Sequence, residues 1–291
     1  MDIRFQDNQF VAVDADGVVV ASSKNRDYLK RKVAAMAESL PVAKRAVEQF
    51  AINDRFTFTE QLVKMVATRQ TASCVITGEG GLGKTYSVLR ALKASGLRDV
   101  SELPIGTTLN GINPQYFRVV KGFSTAKGLY RILFENQSGV VVFDDCDSVL
   151  KDPDATNLLK GALDSYDKRW ITWNTSINDD GLPRSFEFKG GVIFISNMPA
   201  EKISQAIRSR AMNVDLSMTV DQKIERMETI MKSDEFLPSI SMSYKEDALS
   251  IIRENKSIAS EVSLRTLINV TKIRNSGNDN WKMLAKYMLV N

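Results

Sequence analysis

The chain has 291 residues, of which 43% are hydrophobic and 25% are charged, and its formal net charge is +4 at pH 7. This composition is typical of a globular protein with one large domain or several small modules, and the mild positive charge permits contact with nucleic acid without requiring it. Histidine is absent, which excludes imidazole metal sites, Ser-His-Asp triads and histidine proton shuttles, so any chemistry must use carboxylates, lysine, arginine, hydroxyls and bound cations.

The cysteine content and the hydropathy pattern bear on the compartment. Cys74 and Cys146 both lie inside apolar runs, which is typical of reduced, packed thiols rather than of a disulfide or a metal pair. No apolar run approaches the roughly 20 residues that span a bilayer, and no signal peptide opens the chain. We therefore expect a cytoplasmic protein with no membrane partner.

The start of the chain predicts a small mixed module. Apolar residues 10–13 and 18–21 flank an Asp-Ala-Asp-Gly turn, which is typical of a β-hairpin. Charged, helix-forming sequence follows at residues 25–39. We therefore predict a ββα module over residues 1–40, where a protein partner could bind, and a helical linker over residues 41–70.

The middle of the chain, residues 71–216, alternates apolar strands with helical segments, which predicts a parallel sheet with helical crossovers. Strands are predicted at residues 73–77, 116–120, 140–144, 192–196 and 213–216. Helices are predicted near residues 84–94, 125–136 and 155–166, with a short one near 204–210. Residues 217–291 contain no further strand pattern and predict a C-terminal helical domain, with capping boxes at Thr219 and Ser243.

One loop carries a complete nucleotide-binding pattern. The segment Gly78-Glu79-Gly80-Gly81-Leu82-Gly83-Lys84-Thr85 matches G-x-x-x-x-G-K-[ST]. It follows a predicted strand and opens a predicted helix, so backbone N–H groups and the helix N-terminus can surround a phosphate. We expect Lys84 to contact the β- and γ-phosphates of ATP and Thr85 to ligate Mg²⁺, with Tyr86 as the last residue of the nucleotide-binding segment. The alternative is a glycine-rich turn with an accidental Lys-Thr.

A second motif lies at residues 140–145, where the apolar run Val-Val-Val-Phe ends in Asp144 and Asp145. After a P-loop, paired carboxylates at a strand end predict that Asp144 holds Mg²⁺ through water and that Asp145 polarises the attacking water. As an alternative, the two aspartates simply cap the next turn.

Together these motifs resemble those of AAA+ ATPases, over roughly residues 70–275. The resemblance implies an α/β fold, namely a P-loop ASCE/AAA+ core with a parallel five-stranded sheet, followed by a helical lid domain over residues 217–291. It also implies hydrolysis of Mg-ATP by a homo-oligomer, in the form of a hexameric ring or a spiral.

The resemblance assigns further residues to the site. Asn197 closes the strand at residues 192–196 and fits the polar residue that senses the γ-phosphate. Arg210 is the better match to the arginine that reaches the ATP of a neighbouring subunit, with Arg208 as the alternative. Arg265 begins a predicted helix and resembles the sensor arginine of the lid domain. Taken singly, these could be a capping asparagine and solvated arginines.

One departure bears on the branch of the family. AAA+ proteins usually carry Asp-Glu where this chain has Asp144-Asp145. The shorter side chain implies closer water or slower hydrolysis, and Asp-Asp is common in the hexameric viral replicative helicases related to AAA+ proteins. The compact core also resembles ATPases encoded by tailed bacteriophages, which would place the protein in the host cytoplasm.

Residues 169–188 predict a strand–turn–strand hairpin inserted before the strand that leads to Asn197. A hairpin here resembles the pre-sensor-1 insertion of the helicase, branch-migration and unfoldase branches, which often points at the central pore. Trp170 and Trp173 differ in strand parity, so only one of them can face a pore and the other packs. Basic residues beside these aromatics would suit a nucleic-acid strand. These basic residues are Lys168, Arg169, Arg184 and Lys189. The alternative is that the tryptophans are buried and the charges form a solvated face.

ATP hydrolysis alone leaves open the work that it drives. The first hypothesis is a motor or loader that acts on DNA in replication, recombination or packaging, as the hairpin and the basic balance indicate. The second is a protein remodeller or chaperone, which the N-terminal module favours. Residues 121–123 also favour it, because many AAA+ rings carry an aromatic pore loop at this place. The alternative for these residues is an ordinary loop. The third is a slow nucleotide-driven assembly switch, which Asp145 allows.

Overall fold

A computed structural model describes residues 2–6, 8–13, 19–38, 49–104, 106–107, 109, 115–122, 125–173 and 181–291. The chain divides into two compact units, Met1–Gln49 and Phe50–Asn291. Among the described residues, no helix combines the length and the apolar character that crossing a membrane would require.

The first unit contains a three-stranded antiparallel sheet in the order β1 (Asp2–Gln6), β2 (Gln9–Val13), β3 (Val19–Ser23), followed by helix α1 (Arg26–Glu38). The sequence-based prediction of a ββα module is therefore wrong by one strand, β1. The pairing of β1 with β2 places Phe5 opposite Phe10. The two rings pack edge to face, with their centres 5.0 Å apart. The turn predicted at residues 14–17 lies outside the described residues.

The second unit opens with α2 (Ile52–Ala67) and continues with a series of strands and helices. These are β4 (Ser73–Thr77), α3 (Lys84–Ala94), β5 (Arg98–Asp99), β6 (Tyr116–Lys121), α4 (Ala126–Glu135), β7 (Val140–Asp144), α5 (Asp147–Lys151), α6 (Pro153–Ala162), β8 (Trp170–Thr172), β9 (Ser185–Glu187), β10 (Gly191–Ile195), α7 (Gln205–Arg208) and β11 (Met212–Asp215). The last four helices are α8 (Val220–Met231), α9 (Met242–Glu254), α10 (Leu264–Asn275) and α11 (Trp281–Val290).

The central sheet is parallel and has six strands in the order β11-β4-β10-β7-β6-β5. The prediction of five strands is corrected by β5, an edge strand of two residues, which is too short to give a hydrophobic period. The other five strands lie within one residue of their predicted bounds. Because the strands are parallel, the segments that follow β4, β7 and β10 emerge at the same edge of the sheet, where α/β proteins bind ligands.

The sheet is buried on both faces, as expected for parallel strands covered by helices. Alternate residues of β4 and β10 pack into two different apolar clusters, with Val75 and Phe194 on one face and Ile76 and Ile195 on the other. Cys74 is a buried free thiol in one of these clusters, as is Cys146 in the other, which confirms the prediction of reduced, packed cysteines.

The four C-terminal helices pack around an apolar core of their own. Met227 of α8, Ile252 of α9 and Leu267 of α10 are completely buried in it. A capping box at Thr219 starts α8, as the sequence indicated. The box predicted at Ser243 is wrong, because α9 has Ser241 as its N-cap, without a side-chain cap bond. A second capping box starts α10 at Ser263. The start of α10 lies at the sheet edge described above, because the Leu264 N–H donates to the carbonyl of Gly81 at 2.8 Å.

Candidate active site

The loop between β4 and α3 is shaped by glycines with positive φ. Gly78 has φ 133°, and a Cβ there would lie 2.8 Å from the Leu216 carbonyl carbon. Gly83 has φ 90° and is the N-cap of α3, a left-handed conformation that only glycine adopts without strain. Leu82 is buried in the apolar core below the loop. The loop therefore places the N-terminus of α3 at the sheet edge, where its N–H groups and dipole favour an anion.

Lys84, the first residue of α3, is held against this loop. Its side chain is 5% exposed, and Nζ donates to the carbonyls of Gly78 at 2.7 Å and Glu79 at 2.6 Å. A third bond goes to Asn197 Oδ1 at 2.9 Å. Gly80 lies beside the same amide, since a Cβ at Gly80 would be 3.6 Å from Asn197 Oδ1.

The electrostatics around Lys84 oppose one another. Burial lowers the pKa of its ammonium from 10.5 to about 8, while Asp145, Asp144 and other nearby carboxylates raise the pKa. Burial is the larger effect. Among the described residues, no carboxylate makes a hydrogen bond to this buried ammonium, and such a cation is ready to accept the strong negative charge of a phosphate.

Thr85 and Asp144 come together at the end of β7. The Thr85 hydroxyl donates to Asp144 Oδ1 at 2.8 Å, and Asp144 is almost completely buried. Lys121, at the end of β6, lies 3.2 Å from the other carboxylate oxygen. A hydroxyl and a carboxylate are the hard oxygen ligands that Mg²⁺ takes in proteins, alongside substrate phosphates and water. These two side chains therefore fit a Mg²⁺ site shared with a nucleotide.

Asp145 has an exposed side chain and a left-handed backbone, with φ 56°. Its N–H donates to the Ile195 carbonyl at 3.1 Å, which ties the end of β7 to the end of β10. Its Oδ1 accepts from Asn197 Nδ2 at 2.6 Å. Lys84, Asn197 and Asp145 therefore form one hydrogen-bonded row across the ends of β4, β10 and β7.

The three predicted arginines have different surroundings. Arg265 is exposed near the start of α10, and its Cδ would lie 3.8 Å from a Cβ at Gly81, so it is beside the P-loop. Arg208 Nε donates to the Ile203 carbonyl at 3.0 Å, and Arg210 Nη1 donates to a backbone carbonyl of α7 at 3.0 Å. In their described contacts, neither Arg208 nor Arg210 meets the P-loop of its own chain.

A cavity of about 450 Å³ opens beside the N-terminus of α3, a size suited to a small ligand. Its lining is mainly apolar and comes from α3, α8, α10 and the loop after α8; it includes Gly83, Tyr86, Arg226, Ile230, Phe236 and Leu264. The Arg226 guanidinium lies 3.7 Å from the centre of the Phe56 ring, and burial lowers its pKa to about 10. Of the residues that line this cavity, the sequence-based prediction of the nucleotide site included only Gly83 and Tyr86.

Two further contacts at this edge of the sheet were missed by sequence reasoning. Lys223 of α8 forms an ion pair with Glu79, and its side chain is largely buried. Ser196, just before Asn197, donates to Asp147 Oδ1 at 2.6 Å. Neither contact joins residues close together in sequence, so no local pattern indicates them.

The hairpin of β8 and β9 is present as predicted, with Ile171 opposite Phe186. Trp170 is 58% exposed, whereas Trp173 packs against the core, with its ring 6.1 Å from that of Tyr130. One tryptophan therefore faces solvent and the other packs, as strand parity predicted.

The basic residues around this hairpin are not equivalent. Arg169 donates to the carbonyls of Ala162 and Gly190, both at 2.6 Å, and burial lowers its pKa. Because this guanidinium holds the base of the hairpin together, it is not available to a nucleic acid, which corrects its predicted role. Lys168 is exposed and Lys189 pairs with Glu187 at 3.2 Å. Phe123, of the predicted pore loop, lies outside the described residues.

Known proteins similar to this chain include a phage protein and a bacterial protein of known structure. No protein-family model matches the chain. An uncharacterized 36.7 kDa protein from the nrdC-mobD intergenic region of Enterobacteria phage T4 is 29% identical over 252 residues, which cover 80% of this chain and 73% of the phage protein. A crystal structure of NtrX from Brucella abortus in complex with ATP matches 88% of this chain at 14% identity, with a TM-score of 0.46. The match covers 58% of the NtrX chain.

Proposed function

We propose that this chain is a phage-encoded P-loop ATPase of the AAA+ kind that hydrolyses Mg-ATP. The observation that carries the proposal is the hydrogen-bonded row of Lys84, Asn197 and Asp145 beside the Thr85–Asp144 pair. A phosphate-binding cation, a polar link and a carboxylate at one sheet edge are the groups that phosphoryl transfer to water needs. The similarity to the phage T4 protein supports the phage origin.

In this mechanism the P-loop binds the phosphates. The N-terminus of α3 and the ammonium of Lys84 stabilise the negative charge of the β- and γ-phosphates. Thr85 and Asp144 would hold Mg²⁺, which would neutralise charge on those phosphate oxygens. Lys121 lies 3.2 Å from the Asp144 carboxylate, so it would compete with the cation for this ligand.

Asp145 and Asn197 act on the water and the γ-phosphate. The Asp145 carboxylate orients the attacking water and accepts a hydrogen bond from it. Its side chain is exposed, so water can reach it. The Asn197 amide is hydrogen-bonded to both Lys84 and Asp145. In the proposed mechanism this amide senses the γ-phosphate of bound ATP. Arg265 of α10 lies at the same loop and connects the C-terminal helices to the nucleotide.

The cavity beside Gly83 and Tyr86 receives the nucleoside. It begins at the N-terminus of the P-loop helix, and its apolar lining suits the faces of a base. α8 and α10 form much of its wall, so bound nucleotide contacts both the sheet and the C-terminal helices.

Two substitutions test the ATPase assignment. Lys84→Ala should abolish ATP binding, because the loop loses its buried cation, and the measurement is ATP affinity by filter binding or fluorescence. Asp145→Asn should bind ATP normally and lose turnover. Lys93→Ala, at an exposed position of the same helix, is the matched control. Normal ATP affinity in Lys84→Ala, or wild-type turnover in Asp145→Asn, would contradict the proposal.

The work that hydrolysis drives is proposed to be movement or loading on DNA. The favouring observation is the exposed aromatic and basic surface around the hairpin, with Tyr166, Lys168 and Trp170 pointing away from the core. Aromatic rings and lysines together bind single strands by stacking and by neutralising phosphates. The proposed assembly is a homo-oligomeric ring or spiral in which Arg210 reaches the ATP of the next subunit.

A protein substrate is the second candidate. The first unit exposes the large apolar side chains of Phe5, Val19 and Tyr28, and such side chains on one small module favour a protein partner. ATPase rates with and without single- or double-stranded DNA, run alongside light scattering with ATP, separate the two. Stimulation by DNA supports the first candidate, and indifference to DNA favours the second.

A further inference from the structure

The turn that presents Asn197 is fixed by a contact outside the P-loop. Asn197 is exposed, but its neighbours Ser196 and Met198 are buried. The Ser196 hydroxyl donates to Asp147 Oδ1 at 2.6 Å and accepts from the Met198 N–H at 3.0 Å. The residues on both sides of Asn197 are therefore connected, through one hydroxyl, to one carboxylate.

The chemistry of that hydroxyl makes the acceptor oxygen of Asp147 important. Ser196 is fully buried and has a single proton to donate. A carboxylate only accepts, so Asp147 directs the proton toward itself and leaves a lone pair for Met198. Without this acceptor the hydroxyl can rotate, and the N–H after Asn197 loses a defined partner.

Asp147 is placed for this contact by its position in the chain. It is the first residue of α5 and follows Asp145 by two residues, so it lies at the ends of β7 and β10. Cys146, at the N-cap of α5, makes no side-chain capping bond. Asp147 also belongs to the group of carboxylates that raise the pKa of Lys84, which places it near the row without hydrogen-bond contact to it.

We propose that Asp147 is a positioning residue of the active site: through Ser196 it holds Asn197 in register with Lys84 and Asp145. The inference rests on the proposed ATPase function. Asp147 does not contact nucleotide in this role, and it acts only on the geometry of the Asn197 turn.

The test compares Asp147→Ala with Asp147→Asn. Alanine removes the acceptor, so kcat should fall on the order of 10–100-fold, since a misplacement of about 1 Å can cost that much. Binding of a non-hydrolysable ATP analogue should change less than about twofold, because the phosphate contacts of Lys84 remain. Asparagine keeps an acceptor oxygen and should restore most of the rate. If Asp147→Asn is as slow as Asp147→Ala while both bind the analogue normally, the carboxamide does not replace the carboxylate and the positioning role is overturned.

Asp152→Ala is the matched control. Asp152 is the N-cap of α6 and accepts from the N–H groups of Asp154 and Ala155, so its truncation weakens a neighbouring helix without a described contact to the Asn197 turn. It should lower the thermal unfolding temperature and leave kcat at the wild-type value. An equal loss of kcat in Asp152→Ala would attribute the effect to stability and overturn the inference.

A double-mutant cycle isolates the route of action. If Asp147 acts through Asn197, the variant carrying Asp147→Ala and Asn197→Ala should be no slower than Asn197→Ala alone. Multiplicative losses would show that the two residues act independently and would overturn the inference.

Hydrogen exchange gives a readout that needs no ATPase activity. In nucleotide-free protein the Met198 amide should exchange faster in Asp147→Ala and in Ser196→Ala than in wild type, and at the wild-type rate in Asp152→Ala. Unchanged exchange in Asp147→Ala overturns the inference. If the wild-type protein does not hydrolyse ATP, the proposed function is contradicted. The exchange experiment still decides in that case whether Asp147 fixes the turn.

Discussion

Lys84 determines how the site responds to pH. Burial lowers the pKa of its ammonium from 10.5 to about 8 in the folded chain. Between about pH 8 and pH 10.5 the unfolded chain keeps a proton that the native chain has lost, so the contribution of Lys84 to stability rises with pH in that window. A bound phosphate acts in the opposite direction, because it favours the charged lysine.

Nucleotide binding should therefore take up a proton above about pH 8. We expect the affinity for ADP or ATP to fall by up to about tenfold per pH unit from there upward, as linkage of one proton requires. Isothermal titration in two buffers of different ionisation enthalpy measures the proton uptake. Lys93→Met should keep the wild-type profile, and Lys84→Met should bind weakly at every pH. Equal affinity at pH 7 and pH 9.5 would contradict the lowered pKa of Lys84.

The residues of the site differ in how far sequence could predict them. Lys84, Thr85 and Asp144 belong to local patterns, and the contact of Thr85 with Asp144 is present in the structure. The contact of Asp147 with Ser196 spans 49 positions, and neither residue stands in a pattern that names a partner. Only the register of β7 with β10 brings the two together.

At the scale of elements, the β8–β9 hairpin has a fixed base and an exposed outer face. Replacing Trp170 and Lys168 with alanine should weaken DNA binding several-fold and reduce its salt dependence, since stacking and phosphate contacts are lost. The thermal unfolding temperature of these variants should stay near that of the wild type, because both side chains are exposed. Fluorescence anisotropy over a salt series measures the binding.

Arg169→Ala is the contrasting variant at the same hairpin. It leaves the carbonyls of Ala162 and Gly190 without this donor, so it should lower the free energy of unfolding by about 1–3 kcal/mol.

DNA affinity that is identical in wild type and in the Trp170 and Lys168 variants would remove the hairpin as the binding surface. The protein-substrate hypothesis would then take first place.

The strands that sequence missed, β5 and β1, have weak hydrophobic patterns. β5 has two residues and pairs only with β6 at the sheet edge. β1 alternates apolar and polar residues, but Phe5 is largely exposed, so burial does not reinforce its period. The buried strands β4, β7 and β10 were predicted within one residue because long apolar runs bounded by turns are a strong signal.

At the scale of the whole molecule, Arg210 argues for assembly. Its side chain is exposed, and the described hydrogen bond of its guanidinium goes to the Ala206 carbonyl of α7. A guanidinium that a neighbour contributes to the γ-phosphate is worth about 10³–10⁵ in rate in related phosphoryl transfer. Arg210→Ala should therefore bind ATP nearly normally and lose hydrolysis, whereas the same change at Arg208 tests the other assignment.

Subunit mixing checks this prediction. Arg210→Ala combined with Lys84→Ala should recover part of the activity, because an intact P-loop can then meet an intact Arg210. Activity per subunit should also rise with protein concentration, followed by light scattering. A monomer with the same rate at every dilution would return Arg210 to the role of a surface arginine.

The position of β4 in the sheet has a consequence for synthesis of the chain. β4 carries the P-loop and comes first among the six strands along the chain, yet its two neighbours are β10 and β11, which come last. Gly78 also packs against the backbone at Leu216. Contacts this distant close late, because the loop entropy must be lost before they form. We therefore expect a nascent chain to complete the proposed nucleotide site only after almost all of the sheet has left the ribosome, so that ATP would stabilise the finished fold.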